Sequence, residues 1–184
     1  MTTTNSPGRS AAVGAGAGVV ASIVMAMYAM FVSWGKDHGF FTPMYHIASL
    51  WISPNHMMMS MQNGMMNHAF TFTLGPALLG AALHMMTGAM YGALFGVIAS
   101  RLNLQVAAFA GLGVIYGLIV FLVSTYIALP IAGAIFSSGD QIKNMAQMAG
   151  WGTFIIEHLL FGLTLGGLVG IARMRFSAAL SPAN

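Results

Sequence analysis

Residues 84–101 read HMMTGAMYGALFGVIASR, and residues 158–175 read HLLFGLTLGGLVGIARMR. Laid over each other without a gap, His84, Gly88, Gly92, Gly96 and Arg101 coincide with His158, Gly162, Gly166, Gly170 and Arg175, each 74 positions later. Both stretches sit in apolar runs long enough to cross about 30 Å of hydrocarbon as helices. Two further runs qualify, giving spans over residues 11–32, 73–100, 104–129 and 151–172. Gly16-Ala17-Gly18-Val19 in the first span matches Gly111-Leu112-Gly113-Val114 in the third more loosely. Each half therefore runs out and back, which predicts a parallel duplication of a helical hairpin with a pseudo-twofold axis along the membrane normal. The expected fold is all-α: one transmembrane domain, a four-helix bundle, with short outer interfacial helices. A barrel is excluded by the lack of alternation, and a lone strand in lipid would leave its backbone unpaired.

Composition points the same way. Of 184 residues, 58% are hydrophobic and 5% charged, with six Lys or Arg against three Asp or Glu. Soluble domains carry about 25% charged residues, so a soluble enzyme and a disordered tail are excluded. A nucleic-acid binder needs a dense basic face, and a surplus of three positive charges does not make one. With no cysteine there is no disulfide framework and no thiolate chemistry. Three acidic residues in all exclude a carboxylate-based di-iron centre. No phosphate-binding glycine loop and no Ser-His-Asp set is present, so no catalytic constellation is expected.

The charges orient the chain. Arg9 precedes the first span, Arg101 follows the second, and Arg173 with Arg175 follows the fourth. The other two connections carry Lys36 with Asp37 and Asp140 with Lys143, and each nets to zero. Positive residues mark the cytoplasmic side, so both termini and the turn at Asn103 are expected inside, and residues 33–72 outside. Trp34 and Trp151 fall where interfacial aromatics belong. The first run has the charged start of a secretory signal, but its apolar part is too long, and it reads as a retained span.

Glycine at every fourth position leaves a bare groove along Gly88, Gly92 and Gly96, and along Gly162, Gly166 and Gly170. Such grooves ordinarily let helices cross closely; they could also admit a flat cofactor or a lipid tail. His84 and His158 each lie 17 residues before an arginine, which puts both about 25 Å from the inner boundary. Paired imidazoles at one depth suit haem b or another tetrapyrrole, or a bare metal; each could equally hydrogen-bond a neighbouring carbonyl. Glu157 points about 100° away from His158, so it is expected outside that groove, against another helix or a partner protein, and either neutral or hydrogen-bonded to a residue such as Tyr116 or Tyr126.

Residues 56–68 read HMMMSMQNGMMNH, and seven of the chain's 17 methionines fall between Met44 and Met66. Thioether and imidazole suit Cu(I), which makes His56, Met57, Met58, Met59, Met61, Met65, Met66 and His68 candidate ligands. Methionine is also a flexible filler that could pack an interfacial helix against a partner. Residues 44–52 and 131–136, bounded by Pro43, Pro54 and Pro130, are too short to span and are expected to lie in the outer interface or dip part-way in, as flat contacts for lipid or another subunit.

The Gly16–Met25 stretch, GAGVVASIVM, followed by His84-x3-Gly88-x3-Gly92, resembles small four-span bacterial inner-membrane proteins of unknown function. The resemblance covers about half the chain and implies the bacterial inner membrane but no activity. The expected function is a non-catalytic accessory subunit that contacts lipid and other subunits of a larger membrane complex, respiratory or oxidase-type. The alternative is a membrane protein that itself binds haem b or Cu(I). A channel or transporter would need a polar lining that the spans do not offer.

Overall fold

The computed structural model of the protein describes residues 6–179. All regular elements among the described residues are helical: α1 (Pro7–Gly35), α2 (Thr42–Ala48), α3 (Asn55–Met65), α4 (Leu74–Ala99), α5 (Val106–Val123), α6 (Leu129–Ile135), α7 (Asp140–Lys143), α8 (Met145–Ala149) and α9 (Trp151–Ala179). Four helical stretches are long and apolar enough to cross a membrane: α1, α4, α5 continued through α6, and α9. The protein is a multi-pass helical bundle in contact with lipid.

Local chemistry sets the ends. Ser6 caps α1 by accepting from the Arg9 backbone N–H at 3.4 Å, with Pro7 in the first turn, where its missing N–H costs nothing. Gly150, at φ 92°, separates α8 from α9 in a backbone region that other residues rarely adopt.

The third span is longer than its sequence suggests. Residues 131–136 were expected to leave the helix at Pro130 for the outer interface; instead the helix runs on to Ile135. A π-helical turn over Ser124–Ala128, which joins α5 to α6, accommodates the proline: the Leu129 N–H reaches back to the Ser124 carbonyl. Widening the turn by one residue is a known way to absorb a disruption in the hydrogen-bond ladder. Residues 44–52 do form a short piece, α2 and the turn after it, but its packing is internal. Met44, Tyr45, His46 and Ala48 of α2 are buried within the chain's own fold.

Two antiparallel hairpins build the bundle. In the first, Gly14 and Gly18 of α1 lie backbone-to-backbone on Gly88, Gly92 and Gly96 of α4; in the second, Gly113 and Gly117 of α5 lie on Gly162 and Gly166 of α9. The register is the same in both. Gly18 meets the Gly88 carbonyl and the Gly92 Cα, while Gly113 meets the Gly162 carbonyl and the Gly166 Cα. In lipid, where apolar side chains gain nothing by leaving tails of equal polarity, such contacts replace the hydrophobic drive of soluble proteins.

The hairpins then join unequally. α1 packs along α9, whereas α5 reaches α4 through Tyr116, whose hydroxyl donates to the Tyr91 carbonyl at 2.8 Å and whose ring lies 5.1 Å from that of Phe95. Below this point Ala21, Phe95, Ala99, Phe109, Phe161, Leu165 and Val169 form a closed apolar core. Replacing Tyr116 by Phe removes the one hydroxyl bond between α5 and α4 and is expected to lower stability by about 0.5–1.5 kcal/mol. Unfolding of wild type and variant in the same detergent measures it.

Candidate functional site: a cavity between the hairpins

Above the Tyr116–Tyr91 bond the hairpins diverge, and they leave a cavity of about 460 Å3. Its walls come from all four spans and from α2, with α3, α7 and α8 adding residues at the upper end. The lining is mostly apolar, with a few polar groups, the usual make-up of a small-molecule site. Towards α5 the wall on α4 includes Met86 and Met90, which are 60% and 62% exposed on the bundle's outer surface. On this side the cavity is thus bordered by side chains that are also largely exposed, as it is at Trp51, Phe136 and Met148 nearer the upper end.

α2 closes it from above. A Cβ on Gly80 of α4 would overlap the Met44 carbonyl, so α2 rests directly on the α4 backbone. The Tyr45 hydroxyl accepts from the Thr73 N–H at 2.7 Å, and the Thr42 hydroxyl contacts that of Ser60 in α3 at 2.8 Å. On the far side His46 Nε2 donates to the Gln141 carbonyl at 2.9 Å. Burial of the His46 ring pushes its pKa below the ordinary 6.5. The sign follows: its contribution to stability is full above pH 6.5. It fades as pH falls towards the depressed folded value, because the unfolded chain takes up a proton that the folded one refuses. The thermal midpoint is expected to fall between about pH 7 and pH 5, and less steeply in His46→Gln.

The two repeat-related histidines both line the cavity but are held differently. His84 Nε2 donates across the first hairpin to the Ser22 carbonyl at 3.0 Å. His158 Nδ1 donates to the Phe154 carbonyl of its own helix at 2.7 Å, and its ring lies against Phe154 and Phe121. The rings are near enough to interact electrostatically. The structure leaves no porphyrin slot along the glycine rows: Gly88, Gly92 and Gly96 are covered by α1, and Gly162 and Gly166 by α5. Gly170 meets Val106 and Phe109. Haem held edge-on in those grooves is thus sterically excluded.

Glu157 departs from expectation. It is 5% exposed and lines the same cavity as His158, because the cavity is wide enough to receive both faces of α9. It takes no hydrogen bond from Tyr116, which is committed to Tyr91, or from Tyr126, which stacks on Trp151. Lys36 acts on it electrostatically from the rim, where its ammonium donates to the Ala149 carbonyl at 3.1 Å and the Thr153 hydroxyl at 2.9 Å.

The outer methionines do not gather. On α3 Met57 is buried and Met61 half-buried, and both line the cavity, while Met58, Met59, Met65 and Met66 are exposed. His56 faces Tyr45 with ring centroids 6.3 Å apart, and His68 is exposed. Three neighbouring residues on a helix point about 100° apart, so the eight candidates cannot surround one ion. Among the described residues, no three of His, Asp and Glu converge as a metal site.

Sequence reading missed the cavity itself, together with Met25, Met86, Met90, Met145 and Met148 in its lining. The signal was faint: Met86 and Met90 are four apart on one face, but so are many lipid-facing residues. Compared with family models, curated proteins and solved structures, the chain finds no match in any of the three.

Proposed function

We propose that the protein is a non-catalytic binding protein of the membrane, which takes a bilayer-borne amphiphile into the cavity between its hairpins. The observation that carries this reading is that Met86 and Met90 line the cavity and are largely exposed where α4 and α5 scarcely touch, from which we infer a sideways opening to the bilayer. A ligand could enter there without leaving the bilayer. The apolar core beneath, from Phe95 to Val169, argues against a channel, since it closes the bundle below the cavity among the described residues. The accessory-subunit role expected from composition is compatible with this activity; the apolar surface singles out no docking face for a partner subunit. Four spans would put residues 7 and 175 on one side of the membrane, and Arg9, Arg101, Arg173 and Arg175 support reading that side as the cytoplasm of a bacterial inner membrane, with α2 and α3 outside.

Native mass spectrometry of protein released from membranes tests the proposal. Wild type is expected to carry a lipid-sized adduct, and Met90→Trp, which fills the opening, is expected to lose most of it. Equal adducts on both would defeat the reading.

A second reading has one observation in its favour. Eight methionines and four histidines line this cavity, and thioether with imidazole is the donor set of Cu(I). Stoichiometric Ag(I) uptake by the purified protein, lost in a Met57→Leu, Met61→Leu double variant, would favour it over the first.

A further inference from the structure

We infer that the amphiphile taken up by this cavity has a neutral head rich in hydrogen-bond donors, such as a diol, recognised by acceptors that line the cavity on Glu157, His84, His158 and His46. The inference rests on the lipid-binding reading and names the chemistry of its ligand.

The argument is an account of hydrogens. A backbone carbonyl can only accept, so the imidazole nitrogen beside it carries the proton, and in a neutral ring the other nitrogen is then an acceptor. His84 gives its Nε2–H to Ser22, His158 its Nδ1–H to Phe154, and His46 its Nε2–H to Gln141. That leaves acceptor lone pairs on His84 Nδ1, His158 Nε2 and His46 Nδ1. Three nearby hydroxyls have spent their hydrogens in the same way: Ser22 on the Val19 carbonyl at 2.8 Å, Ser33 on Gly39 at 2.7 Å, and Thr87 on Leu83 at 2.9 Å. The Thr153 hydroxyl accepts from Lys36 and, with those of Ser124 and Tyr91, adds groups that can both give and accept. Glu157 adds carboxyl oxygens with no hydrogen bond.

These acceptors are not walled in. Among the described residues, Thr125 Oγ1 is the sole buried side-chain nitrogen or oxygen without a partner. The free ring nitrogens and the Glu157 oxygens therefore face open cavity, where a ligand can reach them. A buried acceptor left without a donor forfeits its solvation, so a head that supplies O–H or N–H groups gains most there. Charge selects neutrality. A cationic head would meet the Lys36 ammonium at the rim, and a charged head of either sign would lose its hydration in a mostly apolar cavity. The acyl or prenyl part then lies towards Met86 and Met90 and the opening.

The test uses the full chain in nanodiscs and two probes that share one oleoyl chain: monooleoylglycerol, with two hydroxyls, and methyl oleate, with none. Wild type is expected to bind the diol about tenfold or more tightly than the ester. In Glu157→Leu, whose side chain makes no hydrogen bond to lose, the ratio is expected to fall but stay above one, because the three ring nitrogens remain. Equal binding of the two probes by wild type would overturn the inference while leaving a lipid-binding cavity intact. Binding of neither would overturn both. Displacement of the diol by one equivalent of Ag(I) would show the ring nitrogens to be metal ligands and also overturn it. The wild-type ratio stands as a readout even if the variant fails to fold.

Discussion

Gly92→Leu is expected to prevent the first hairpin from closing. A Cβ at this position would overlap the Gly14 carbonyl oxygen and come within 2.7 Å of the Gly18 Cα. Overpacking a core costs about 1–3 kcal/mol when neighbouring side chains can give way. Here both obstacles are backbone on a straight helix, so relief requires separating α1 from α4 along much of their length, and the cost lies at or beyond the top of that range. Gly16→Leu is the control. It adds the same side chain to the same pair of helices, but nothing stands within 4 Å of its Cβ, and its effect should stay within about 0.5 kcal/mol. Detergent unfolding followed by circular dichroism compares the two. Gly166→Leu should match Gly92→Leu, since it meets the Phe109 carbonyl and the Gly113 Cα in the same register.

Gly80→Leu should act on the cavity rather than on the bundle. The new side chain would drive into the Met44 carbonyl and within 3.1 Å of the Met44 Cα, lifting α2 from α4. The glycine crossings lie further along the helices, so helix content should be retained. What should be lost is the wall that α2 supplies through Met44, His46 and Ile47, and with it most of the lipid adduct. Gly75→Leu, on the same helix but with open space around its Cβ, should keep both. A Gly80→Leu protein that retains its full adduct would show that α2 plays no part in holding the ligand.

The spans and their crossings were legible because each depends on local pattern. Length and apolarity mark a membrane helix, and glycine at four-residue spacing marks the face that another backbone will touch. The match of Gly18 with Gly113 in sequence is the match found in space. The cavity was not legible, because it depends on inequality between the halves. A symmetric reading treats α1 against α9 and α5 against α4 as equivalent, whereas α1 packs on α9 and α5 touches α4 through Tyr116. Ser22 in one hairpin stands where Gly117 stands in the other, one receiving a histidine bond and the other a histidine carbonyl. Pro130 was read as a helix end because the π turn that carries the helix through it has no signature in residue type. Residue type offers Met57, Met58 and Met59 equally as ligands, and which of the three faces the cavity, Met57, depends on the packing of α3.

The central claim is that lipid enters between α4 and α5. A lipid bearing a photoreactive group on its acyl chain, irradiated with the protein in nanodiscs and mapped by peptide mass spectrometry, tests it directly. The account predicts labelling concentrated at Met86, Met90, Val120 and Ser124, reduced by an excess of unlabelled diol lipid. Labelling spread evenly over lipid-facing residues such as Ile115, Leu118 and Ile119, with no effect of competitor, would contradict it.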